Sequence, residues 1–185
     1  MDRSPESFAE ALASGDTECV NEAIDEIETV DTAERVDRYP ALFEACYPVY
    51  EGDDGYVRQS VVRFLRDAYP MLEIQISATE AETVDGYTVE DLAENRARLV
   101  ELLLEALEDD DGRVRTAAVD GFETLGVAIN AAELDAERQA LVDTLDDLHD
   151  ALPEAKAAHV EDARRSVERM GFVGSLMADI DIDSP

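Results

Sequence analysis

Apolar residues recur at intervals of three and four along most of the chain. Leu42, Cys46, Val49 and Tyr50 form one such stripe, and Val57, Val61, Phe64, Leu65 and Ala68 form the next. At 3.6 residues per turn those positions share one helix face, so each stripe predicts an amphipathic helix with a core-facing side. The turn Glu51-Gly52-Asp53-Asp54-Gly55 separates the two. The plan returns with Leu99, Leu103, Ala106 and Leu107, then Asp111, then Val114, Ala118, Phe122 and Leu125. Residues 5–13 and 16–29 predict a pair of helices about Ser14-Gly15-Asp16, followed by a short connection over 31–38. Residues 131–150 and 153–170 predict a last pair, broken at Leu152-Pro153 and closed by Gly171 as a C-terminal cap. The pattern predicts an all-α fold.

The two central pairs are copies. Leu42–Leu65 aligns with Leu99–Phe122 at an offset of 57, with nine of 24 positions identical, among them Asp53/Asp110, Asp54/Asp111, Gly55/Gly112, Val57/Val114 and Arg58/Arg115. In each copy the second aspartate stands where it caps the following helix, accepting N–H bonds at the positive helix end. The Asp-Asp-Gly-x-Val-Arg turn running into a helix of small and apolar residues resembles the HEAT repeat family, on Asp53 to Arg58 and Asp110 to Arg115. The resemblance implies a short right-handed α-α superhelix, or solenoid, of about four HEAT-like hairpins. Residues 1–173 then form one domain, with clear repeats at 38–70 and 95–128 and an acidic C-terminal tail at 174–185. An offset of 57 exceeds the period of about 40 for such repeats, which places an insertion at 71–88. Its run Leu72-Glu73-Ile74-Gln75-Ile76 alternates like a strand but has no partner strand. An extension of the preceding helix or an ordered loop is expected there, with Thr88 capping one long helix over 89–109.

Charge adds the solvent. Forty-six Asp and Glu oppose 15 Lys and Arg, a formal net charge of -31, and Lys156 is the only lysine. Self-repulsion on that scale weakens a compact state at low ionic strength, and molar salt screens it. The composition resembles the acidic proteins of haloarchaea. It argues against nucleic acid as a partner, because phosphate binding needs basic surface. No apolar run is long enough to cross a bilayer, and Met1-Asp2-Arg3-Ser4-Pro5-Glu6 lacks the basic lead of a secretory signal. A cytoplasmic protein is expected. Cys19 and Cys46 fall on apolar helix positions and read as reduced core residues.

Candidate chemistry is sparse. The acidic turns do not follow the calcium-loop pattern, since counting back from either glycine puts Tyr50 or Leu107 at the first ligand position. His149 and His159 flank a helix break at no known metal spacing. No metal or cofactor is expected, and no nucleophile is paired with a base. Arg58 and Arg115 read as a ladder, each pairing with an acidic turn, while Asp54 and Asp111 cap helices. One stretch stands out for binding. Tyr39, Tyr47, Tyr50, Tyr56 and Tyr69 crowd together, with Arg58, Arg63 and Arg66 beside them. Tyrosine and arginine are enriched at interface hot spots, so Tyr39, Tyr47, Tyr56, Arg58, Arg63 and Arg66 are the candidate partner contacts. The expected function is a noncatalytic protein-interaction scaffold holding a protein partner, with pairing of two copies as a further option. The resemblance leaves an enzyme or enzyme subunit of lyase type as the alternative. A glycosylase reading suffers from the lack of tryptophan and of a basic groove.

Overall fold

Short polar side chains open most of the helices. A computed structural model describes residues 3–178, with side chains through Glu168. Ser4 caps α1 (Pro5–Ala13), whose first residue is a proline that needs no helical donor. Asp16 caps α2 (Thr17–Glu28), Asp31 caps α3 (Thr32–Tyr50) and Asp54 caps α4 (Gly55–Ala68). After α5 (Leu72–Thr79) the chain enters α6 (Ala93–Leu107) through a 3-10 turn at Glu90–Leu92. Asp111 caps α7 (Gly112–Ala131), and α8 (Asp135–Ala151) and α9 (Glu154–Ala178) follow. The fold is all-α, with no strand among the described residues.

Successive helices pack as pairs: α1 on α2, α3 on α4, α6 on α7 and α8 on α9. The second members also meet one another in order, α2 on α4, α4 on α7 and α7 on α9. One apolar core therefore runs from Phe8 in α1 to Val167 in α9. A smaller cluster of Val36, Leu72, Ile76 and Leu92 lies beneath the inserted segment. Glycine permits one close approach in this core. A Cβ at Gly121 would sit 2.8 Å from Cδ1 of Leu103, so α6 and α7 touch where the first copy carries Phe64.

The structure departs from the sequence expectations at four places. Residues 32–38 are helical, not a connection, and α3 continues through Pro40 and Pro48. The inserted residues 72–79 form a helix of their own, cut from α4 by Tyr69, Pro70 and a left-handed Met71. Thr88 does cap, through reciprocal bonds with Asp91, but the first turn is 3-10 and α6 begins at Ala93. Gly171 does not end α9, which continues to Ala178 and takes in the first residues of the expected tail. The acidic residues 179–185 lie outside the described residues.

Candidate partner-binding surface

The repeated turn is built by its own sequence. Asp54 Oδ1 accepts the N–H groups of Tyr56 at 2.8 Å and Val57 at 3.2 Å. Asp111 Oδ1 accepts that of Arg113 at 2.9 Å, and the Arg113 guanidinium closes on the same carboxylate at 2.6 Å. That guanidinium and the capped N–H hold the Asp111 carboxyl down to about 2.

The equivalent arginines do different things. Arg58 grips Asp109 in the next turn with two bonds of 2.7 and 2.9 Å, and reaches Gly52 O of its own turn at 3.0 Å. Burial works to raise the Asp109 carboxyl, but the Arg58 fork and the Asp111 N–H outweigh it and hold the group below its ordinary value. Arg115 donates to carbonyls of its own turn, Asp109 O at 2.7 Å and Asp110 O at 3.0 Å, and to His159 Nδ1 at 3.4 Å. The turn that follows it, Leu152-Pro153-Glu154, carries no Asp-Asp pair to receive it. Lys156 closes that junction from the other side, bonding Asp110 Oδ1 at 2.7 Å.

The tyrosines serve the packing between helices. Tyr39 is fully buried and meets Tyr69 edge-on at 5.7 Å, which removes it from the candidate partner contacts. Its ring belongs to the apolar stripe, as Tyr50 does. Tyr47 stacks on Phe43 at 5.6 Å and donates to Glu105 at 2.8 Å, which pushes its hydroxyl up to about 12. Tyr56 reaches Thr17 of α2 at 3.2 Å. Arg58 is committed to Asp109. Arg63 and Arg66 are left on the outer side of α4.

There the basic side chains gather. Arg66 forks onto Asp67 at 2.7 and 3.0 Å and lies 3.8 Å from Asp120. Across a cavity of about 280 Å³, lined also by Glu28 and Thr124, sits Arg35 at the start of α3. Arg35 donates to Asp67 O at 2.9 Å, and its buried Nε has no partner. Arg63, one turn before Arg66, makes no ion pair or hydrogen bond within the described residues.

A second polar group was not found from the sequence. Arg96, 2% exposed, forks onto Glu137 at 2.8 and 3.1 Å and donates to Glu73 at 2.8 Å. Glu73 is fully buried and also accepts from Tyr69 at 2.5 Å. The signal was there: Arg96 interrupts the stripe Leu92, Leu99, Leu103 at a core position. Neither cysteine is reactive in kind. Burial pushes the Cys46 thiol up to about 12, and the Asp16 carboxylate raises that of Cys19. Among the described residues no three His, Cys, Asp or Glu converge as a metal-binding group, and no helix is long and apolar enough to cross a membrane. No protein-family model, curated protein or solved structure matches the chain.

Proposed function

We propose that this chain is a noncatalytic scaffold of a salt-rich cytoplasm, a short right-handed superhelix of HEAT-like hairpins that holds an acidic protein segment against α4. Support for the repeat architecture comes from the 57-residue copy and from the ordered packing of α2, α4, α7 and α9. One observation carries the surface. The chain has about three acids for each base, yet Arg35 and Arg63 have no carboxylate partner within 4 Å among the described residues. Arg115 shares that property, but turn carbonyls occupy it. Two guanidiniums without a carboxylate inside 4 Å, Arg63 on α4 and Arg35 across the cavity from Arg66, favour this face for a carboxylate-bearing partner, since arginine forks match carboxylates. The test is affinity capture at molar KCl from the native host, with wild type beside Arg63→Glu/Arg66→Glu. A partner held by wild type and released by the variant, at equal helicity, supports the reading. Retention of the same partner by the variant rejects it.

The charged cavity between Arg35 and Arg66 also feeds the second reading, an enzyme or enzyme subunit. It would gain ground if the captured material proved to be a small carboxylate metabolite that the protein converts.

A further inference from the structure

The internal repeat shows what a groove between first helices holds. In the first copy Phe43 and Tyr47 stand half-buried on α3 and stack at 5.6 Å. The Tyr47 hydroxyl bridges to Glu105 of α6 at 2.8 Å, and α3 packs on α6. The offset of 57 puts Val100 and Leu104 at the same two places on α6. Both are aliphatic and lack the reach and the hydroxyl of Tyr47. A groove of about 270 Å³ remains between α6 and α8.

Val100 and Leu104 of α6, Ile129 of α7, and Ala140 and Leu141 of α8 line this groove. The walls therefore favour an apolar body. The volume falls just short of the roughly 300 Å³ at which small-molecule pockets begin, so it suits a single side chain. The polar lining specifies the rest. Arg96 holds both Glu137 oxygens, and the Thr144 hydroxyl donates to Ala140 O. Glu101 is exposed and makes no hydrogen bond or ion pair among the described residues. No Lys or Arg lines the groove. The rim thus offers an open carboxylate acceptor and repels an acidic occupant. A ring that carries a hydroxyl donor meets both demands, as Tyr47 does against Glu105. We propose that the α6–α8 groove binds a tyrosine side chain of a partner protein, its ring between Leu104 and Leu141 and its hydroxyl donating to Glu101. Neutral or basic residues flank that tyrosine. None of the lining residues belongs to α4, so this contact is independent of the arginine face.

Methyl NMR of the full chain in molar KCl tests it, with acetyl-Ala-Tyr-Ala-amide as the probe. The phenylalanine analogue of that peptide, which lacks the hydroxyl, is the comparison. Binding predicts saturable ring-current shifts of the Val100, Leu104 and Leu141 methyls. The tyrosine probe should bind about 3- to 10-fold more tightly than the phenylalanine probe, the worth of one hydrogen bond. Glu101→Ala should erase that difference. Leu104→Tyr gives α6 the residue that α3 has, and it should fill the groove from within and abolish the shifts at Val100 and Leu141. If that variant fails to fold, Ala140→Leu, at an exposed position of α8, decides in its place. Absent or non-saturating shifts in the wild type overturn the proposal. So do shifts undiminished in the filled variant, or equal affinities of the wild type for the two probes.

Discussion

Asn95 of α6 donates from Nδ2 to the carbonyl of Val36 in α3 at 3.1 Å. Val36 lies four residues before Pro40, so its carbonyl is the one whose helical donor the proline ring removes. The side chain of Asn95 is buried, and it supplies the missing donor from another helix. The carbonyl freed where α3 passes Pro40 is therefore not left unpaired. Asn95→Ala should cost about 1–3 kcal/mol, the usual cost of a buried acceptor left unpaired. The same change in a Pro40→Ala background, where the N–H returns, should cost less. Urea unfolding of the four proteins in molar KCl gives the coupling. Strict additivity would mean that Asn95 acts by packing alone.

Gly55 and Gly112 hold the same place in the repeat but not the same surroundings. A Cβ at Gly55 would come within 2.8 Å of Asp111 Cγ, whereas at Gly112 the nearest atom is Arg115 Nη2 at 3.4 Å, an ordinary van der Waals distance. Neither glycine has a positive φ, so space alone separates them. Gly55→Ala should displace the Asp111 cap and lose about 0.5–2 kcal/mol. Gly112→Ala should be neutral or stabilise by up to about 1 kcal/mol, because alanine restricts the unfolded chain. Denaturant midpoints of the two variants in molar KCl provide the comparison, and equal losses would refute the stacking of one turn on the next.

Arg96 and Glu73 form a buried ion pair that Tyr69 joins from one side and Glu137 from the other. Removing Arg96 leaves a carboxylate at 0% exposure without its counter-ion. Arg96→Met should therefore destabilise by about 3–5 kcal/mol, and adding Glu73→Leu should recover much of that loss, since apolar replacement of a buried pair is often neutral. The pair of urea curves decides. A double variant as unstable as the single one would show that Glu137 and Tyr69 need the ionic network.

Local chemistry was legible in the sequence, and long-range compensation was not. The Asp54 and Asp111 caps and the apolar stripes depend on neighbours within a few residues. The sequence alone does not carry α3 through Pro40, because a proline leaves a helix carbonyl without its donor and the substitute donor here sits 59 residues away in Asn95. The α5 segment was ambiguous because its eight residues carry almost no helical periodicity, with Leu72, Glu73 and Ile76 all buried. At the candidate surface, tyrosine misled. Its ring suits a core as well as an interface, and composition alone cannot tell Tyr39 in the core from Tyr56 at the rim. Arg63 was legible as a base on the outer side of α4, but its half-burial and its lack of a partner among the described residues depend on how the helices pack.

Salt and mild acid should both stabilise the molecule, and stronger acid should undo the gain. A net charge of -31 repels itself in dilute buffer, and at 1 M salt a Debye length of about 3 Å screens most of that repulsion. Helicity and Tm should rise with KCl. Protons relieve the same repulsion as carboxylates near their ordinary pKa of about 4 begin to titrate. At low salt, stability should therefore climb as pH falls from 7 toward about 5. Asp109 and Asp111 reverse the trend further down. Both are held below their ordinary values, Asp111 at about 2, by Arg58, Arg113 and capped N–H groups. A carboxyl depressed on folding stabilises above its unfolded pKa, and that contribution disappears as pH falls through the folded one. The loss should lie between about pH 4 and pH 2. Circular dichroism melts from pH 2 to 7 should then show a maximum near pH 4–5 in dilute buffer and a flat approach to the same acid limb in molar KCl. Asp111→Asn keeps a capping oxygen but cannot titrate, so it should soften that limb. Identical melts at the two salt concentrations would remove the basis for reading this charge as an adaptation to salt.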